Sequence, residues 1–161
     1  MEILAEGGIE ALTIPRLAKR MDASVGGLYR YFPSKEAILV ALQKRAIDVF
    51  GALQADALRQ VEALSSESPE GIVHLARAIA SLDILLHLVH QAPIEHALID
   101  AFLSAPTPSL SDEAARLIDA HLAPLLEVCR ETFEAASAWG VLDDSDAKVK
   151  THLMWAALHG R

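Results

Sequence analysis

Thr13-Ile14-Pro15-Arg16-Leu17-Ala18-Lys19-Arg20-Met21-Asp22-Ala23-Ser24-Val25-Gly26-Gly27-Leu28-Tyr29-Arg30-Tyr31-Phe32-Pro33-Ser34-Lys35-Glu36 is an unbroken run of helix starts and stops. Ile14, Leu17, Ala18 and Met21 recur at i, i+3, i+4 and i+7, which places them on one helical face. Thr13 stands where an N-cap belongs, and Pro15 falls in the first turn, where its missing N–H costs little. Asp22 tolerates positive φ better than most residues and is expected to end this helix. Ser24 is expected to cap the next one. Its Val25, Leu28, Tyr29 and Phe32 repeat the helical spacing, so the reading gives it a buried face and an open one, with Phe32 in the core. Pro33 disfavours helical geometry at Phe32. Ser34 then caps a third helix that carries Lys35 and Glu36 in its first turn. Helices this short cannot stand alone in water. Ile3 and Leu4 on one side, and Ile38, Leu39 and Leu42 on the other, are expected to wall them in.

Two short helices across a tight turn, with Tyr29, Arg30 and Tyr31 on the open side of the second, have the form of a helix-turn-helix. Such a motif sets its second helix in the DNA major groove. Over residues 2–45 the chain resembles the DNA-binding domain of the TetR family of bacterial repressors. The resemblance rests on Ala5-Glu6-x-Gly8, Thr13, Leu17-Ala18, and Ser24-x-Gly26-x-Leu28-Tyr29-x-Tyr31-Phe32-x-Ser34-Lys35-Glu36. Asp22 stands where glycine is common in the family, and Ala23 where a larger aliphatic residue is common. The resemblance implies that Thr13, Tyr31 and Lys35 hold phosphates. It turns Val25, Gly27, Tyr29 and Arg30, with the capping Ser24, toward base edges or the adjoining backbone. Arg30 could pair bidentately with guanine. Gly26 and Gly27 read no base and instead let the helix come close, which leaves part of the specificity to DNA shape.

The whole chain is acidic at −8, which alone argues against nucleic acid. The charge is unevenly spread: residues 1–45 hold seven Lys/Arg against five Asp/Glu, a net of +2, and residues 46–161 carry −10. A basic head on an acidic body can meet DNA through its local potential. The 161 residues, 52% hydrophobic and 5% aromatic, suffice for one or two small cores. No run approaches the uninterrupted apolar length of a membrane span, and nothing resembles a signal peptide. A lone cysteine, Cys129, rules out an internal disulfide and fits a reducing cytoplasm.

No segment reads as a strand, so the expected fold is all-α. It divides into a helix-turn-helix head (residues 1–45) and a helical ligand-binding and dimerisation domain (residues 46–161). The helix begun at Ser34 is expected to run to near Leu64. Further helices are expected at about 70–89 and around Ile94–Phe102. A long one follows with Leu117, Ile118, His121, Leu122, Leu125, Cys129, Thr132, Phe133 and Ala136 on one face. Gly140 closes it, and a last helix carries Val149, Leu153, Trp155 and Ala156. Ser104–Ser109 is the clearest loop. Trp139-Gly140-Val141-Leu142 followed by Trp155-x-x-x-His159-Gly160 resembles the Trp-His-Gly group of TetR ligand-binding domains. That group has a further helix, and Met1 falls where the first helix should already be under way, so the sequence reads as clipped at both ends.

The resemblance implies a homodimer that binds double-stranded operator DNA as a repressor and responds to a small-molecule effector. Polar residues on otherwise apolar faces are the pocket candidates: Asp83 and His87 on one helix, His121, Cys129 and Thr132 on another, and Trp155. His87 and His90 make a His-x-x-His pair, but seven histidines in a helical chain produce such pairs by chance. No metal and no cofactor is expected. No Ser/His/Asp arrangement, phosphate loop or metal motif argues for an enzyme, and no residue is assigned a catalytic role.

Overall fold

Hydroxyl side chains cap four of the helix starts. In the structure, a computed structural model that describes residues 2–7, 11–104, 110–143 and 145–158, eight helices appear among the described residues, with no strand. They are α1 (Glu2–Gly7), α2 (Ile14–Arg20), α3 (Val25–Tyr31), α4 (Lys35–Leu64), α5 (Glu70–Gln91), α6 (Pro93–Ser104), α7 (Asp112–Ala138) and α8 (Ala147–Leu158). Thr13 caps α2 by accepting the Arg16 N–H at 3.3 Å, and Ser24 caps α3 through Gly27 N–H at 3.0 Å. Ser34 and Ser111 do the same for α4 and α7. Each oxygen satisfies an N–H that has no partner inside its helix. Asp22 does take the left-handed conformation, at φ +50°, between α2 and α3.

Ile3, Leu12, Ile14, Ala18, Leu28, Ile38 and Leu39 form the core of the head, with Leu17, Phe32 and Leu42 packed against it. The Leu4 side chain and the segment 8–10 lie outside the described residues. Val25 is 40% exposed and Tyr29 is 51% exposed, so Leu28 alone anchors α3 and Phe32 seats its C-terminal end. A seven-residue helix turns only about twice, and one anchoring row is all the α2/α4 wall can take.

From the head, α4 continues unbroken into the body, where it packs on α5, α6 and α7. Ala46 and Phe50 join Ala78, Ile84, Leu88, Leu98, Ile99, Cys129, Phe133 and Ala136 in the larger core. Helices α4 and α7 approach closely. A Cβ on Gly51 would stand 2.9 Å from Leu125 Cδ2, so any larger residue there would push the tip of Leu125 aside. Ile118, Leu122, Cys129, Thr132, Phe133 and Ala136 face inward along α7, but Leu117 does not, being 47% exposed. It lies one residue, about 100° of helical turn, from the Ile118 row.

Five apolar residues on α5 are exposed: Ile72, Ile79, Leu82, Leu86 and Val89. An 18-residue window of this helix has mean hydropathy 1.7 and is 24% buried, so by length and composition α5 is long and apolar enough to cross a membrane. The expectation that nothing approaches that length holds for uninterrupted apolar runs and fails for the average. Arg77, Asp83, His87 and His90 break the run, and Ala78, Ser81, Ile84 and Leu88 are buried against the other helices. The loop 105–109 lies outside the described residues, as do Trp155's side chain and His159-Gly160.

Candidate functional site

The exposed side of the head gathers the residues singled out in the sequence. Thr13, Ser24, Val25, Arg30 and Tyr31 are exposed, with Tyr31 at 77%, while Gly27 and Lys35 are half-buried. Thr13, Ser24 and Lys35 stand at the starts of α2, α3 and α4, where N–H groups and the helix dipole favour an anion. A Cβ built on Gly26 would meet nothing within 4 Å. The chain itself therefore supplies no packing reason for glycine on this face of α3.

Not every cation of the head is available to a ligand. Arg16 and Arg20 both grip Glu6 of α1, at 2.6 and 3.1 Å. The charge of Arg20, then the hydrogen bond from Arg16, hold the Glu6 carboxyl below the usual range. This clamp ties α1 to α2 and spends two positive charges inside the head.

The six pocket candidates of the body do not converge. Asp83 and His87 share a groove of about 440 Å³ between α4 and α5, floored by Leu53, Ala57, Val61 and Ile84 and edged by Asp56. Within it His87 Nδ1 lies 3.1 Å from Asp83 Oδ2. His121 is turned to the other side, where its Nε2 meets Asp48 Oδ1 of α4 at 2.8 Å. Sequence periodicity put His121 on the inner stripe of α7 and could not show this partner. Cys129 is fully buried, contacted by Gln54 Nε2 at 3.0 Å. Burial pushes its thiol up to about 11, with the Gln54 contact pulling the other way. Thr132 is buried too, its hydroxyl donating to Val128 O at 2.8 Å. Trp155 falls on α8 with its side chain outside the described residues.

Among the described residues three buried polar atoms have no hydrogen-bond partner: Gln43 Oε1, His74 Nδ1 and Ser81 Oγ. Gln43 donates its amide to Leu98 O of α6, and the His74 ring stacks on Trp139 at 5.7 Å between centroids. Among the described residues no three His, Cys, Asp or Glu side chains gather as a metal site.

Residues 1–42 match the family described as bacterial regulatory proteins, tetR family. The HTH-type transcriptional repressor KstR of Mycobacterium tuberculosis is 30% identical over 128 residues, which is 76% of this chain and 53% of that protein. KstR of Rhodococcus jostii is 26% identical over 147 residues, covering 89% of this chain and 64% of the relative. The chain thus spans between about half and two thirds of the length of these relatives. Among solved structures, AibR in complex with isovaleryl coenzyme A and operator DNA is similar in fold. Its TM-score is 0.69 at 19% identity, over 98% of this chain and 78% of that one. Bacillus subtilis FadR in complex with stearoyl-CoA gives a TM-score of 0.67 at 20% identity, over 99% and 78%. Head motif and family match agree over residues 1–42, which carry the helix-turn-helix domain of the TetR family of bacterial regulatory proteins.

Proposed function

We propose that residues 1–45 are the DNA-binding head, and residues 46–161 the effector-sensing and dimerising body, of a ligand-responsive transcriptional repressor. Two copies would set their α3 helices about one DNA turn apart on a near-palindromic operator. The observation that carries this reading is the exposed face of α3. Tyr29, Arg30 and Tyr31 stand clear of the core beside a glycine with open space around it. In this reading Thr13, Tyr31 and Lys35 hold phosphates, while Ser24, Val25, Gly27, Tyr29 and Arg30 lie against the groove. The protein works where its DNA is, in the bacterial cytoplasm, and performs no chemistry of its own.

An effector acts only through its different affinity for the two body conformations, with a coupling of about 1–3 kcal/mol. The groove between α4 and α5 is the open cavity on that route, with Asp83 and His87 on its α5 wall. Its walls carry Asp56 and Asp83 and no lysine or arginine, so their fixed charge opposes the phosphates of a coenzyme A thioester such as those bound by the fold relatives. A neutral or cationic effector suits it better.

Selection of genomic DNA fragments across a salt series, beside a Tyr29→Ala/Lys35→Ala variant, tests the reading. Enrichment of a palindrome that the variant loses is the expected result. Equal enrichment by both proteins would overturn the roles given to Tyr29 and Lys35, and none by either would leave a helical ligand-binding module without DNA function.

A further inference from the structure

Ser111 is the N-cap of α7, and its Oγ accepts the Ala114 N–H at 3.2 Å. In a capping box the reciprocal bond is made by a Glu or Gln three residues on, which reaches back to the N–H of the cap. Here that third residue is Ala114, which has nothing to offer. The acceptor comes from another helix: Glu36 Oε1, in the first turn of α4 and 75 residues away, takes the Ser111 N–H. Beside it, Leu110 packs both against the head core and against the Ile47–Ile118–Leu122 cluster where α4 meets α7. Further along the same pair of helices, Asp48 and His121 join at 2.8 Å. The two helices are thus tied at two separated points, with the upper one lying directly behind Lys35.

From this we infer that Glu36 and Ser111 form a capping box split between head and body, and that Glu36 is a positioning residue which fixes the head against α7. One carboxylate serves two helix starts, its own and that of α7, and both dipoles favour a negative charge there. Its effect on DNA rests on the DNA-binding reading above. The split box itself does not.

Two consequences separate positioning from simple charge. Removal of an acid next to Lys35 should strengthen DNA binding if charge alone matters. If position matters, Glu36→Ala should weaken binding by roughly tenfold with its salt slope unchanged, whereas Glu36→Gln, which keeps an acceptor oxygen, should not. The experiment pairs DNA titrations of wild type, Glu36→Ala and Glu36→Gln with amide exchange at Ser111 in the free proteins. Ser111 should exchange about tenfold faster in Glu36→Ala, as for loss of one hydrogen bond, and as in wild type for Glu36→Gln. Equal exchange in wild type and Glu36→Ala overturns the box, and tighter DNA binding by Glu36→Ala overturns the positioning role. Should Glu36→Ala not fold, the scalar coupling between the Ser111 nitrogen and the Glu36 carboxyl carbon of the wild type decides, since its absence excludes the bond. Failure of every protein to bind DNA, with exchange as expected, would count against the DNA-binding reading and leave the box standing.

Discussion

Lys35 is the first helical residue of α4, a cation set against the positive end of a helix dipole. In the free protein that placement costs a few tenths of a kcal/mol to about 1 kcal/mol, and a phosphate in front of it reverses the sign. Lys35→Ala should therefore melt no lower than wild type while its DNA affinity falls and the salt slope shrinks by about 1, a pair of results that calorimetry and a salt titration read together. Gly26 makes a related case. With open space around it, Gly26→Ala should stabilise the free chain by about 0.5–1 kcal/mol, because alanine loses less backbone entropy on folding. The same methyl should obstruct the approach of DNA. Unchanged DNA affinity in this variant would count against α3 as the groove helix. Cys129 shows a buried thiol whose protonation is linked to stability. Its folded value, about 11, is raised above the ordinary 9.0. The stability it contributes is complete below 9 and is lost as pH rises through 11. Iodoacetamide at pH 8 should leave the native thiol alone and label it only after denaturation, whereas rapid labelling of the folded chain would contradict its burial.

At the scale of the helices, the turns are where a single atom decides most. Asp22 already occupies the left-handed region, and a β-branched side chain there is far less tolerable. Asp22→Val should cost about 1–2 kcal/mol, read from denaturant midpoints, while Asp22→Gly should cost nothing or stabilise. A second corner joins α7 to α8. Its Asp143 carboxyl is held down at about 2 by hydrogen bonds from Ser145 and then Lys150. A lowered carboxylate contributes stability above its ordinary 3.8, and that contribution disappears as pH falls through 2. Lys150→Met should remove part of this acid dependence. The caps at Thr13, Ser24 and Ser34 were legible in the sequence because their causes are local, each acting within three residues. Contacts across the fold were not. Glu36 finds Ser111, and His121 finds Asp48, at separations that no periodicity encodes.

For the molecule as a whole, Phe50 stands on the helix that head and body share and lies in the body core with no exposed surface. Phe50→Ala should cost about 3–5 kcal/mol, enough to unfold much of the chain at room temperature in a urea titration. The all-helical architecture could be read from the sequence because seven of the eight helices follow from apolar spacing and capping residues. The groove between α4 and α5 could not, since it depends on which faces of the two helices are left apart; Asp83 and His87 line it, while His121, Cys129 and Thr132 lie elsewhere. The length of α4 has a mechanical consequence. Thirty residues rising about 1.5 Å each make a rod of about 45 Å. Swung about its far end by about 5°, such a rod carries Lys35 through about 4 Å, more than the 3.4 Å between successive phosphates of one strand measured along the duplex axis. On the DNA-binding reading proposed above, a tilt of α4 this small, shared with the helices packed on it, would shift every grip by one rung of the ladder.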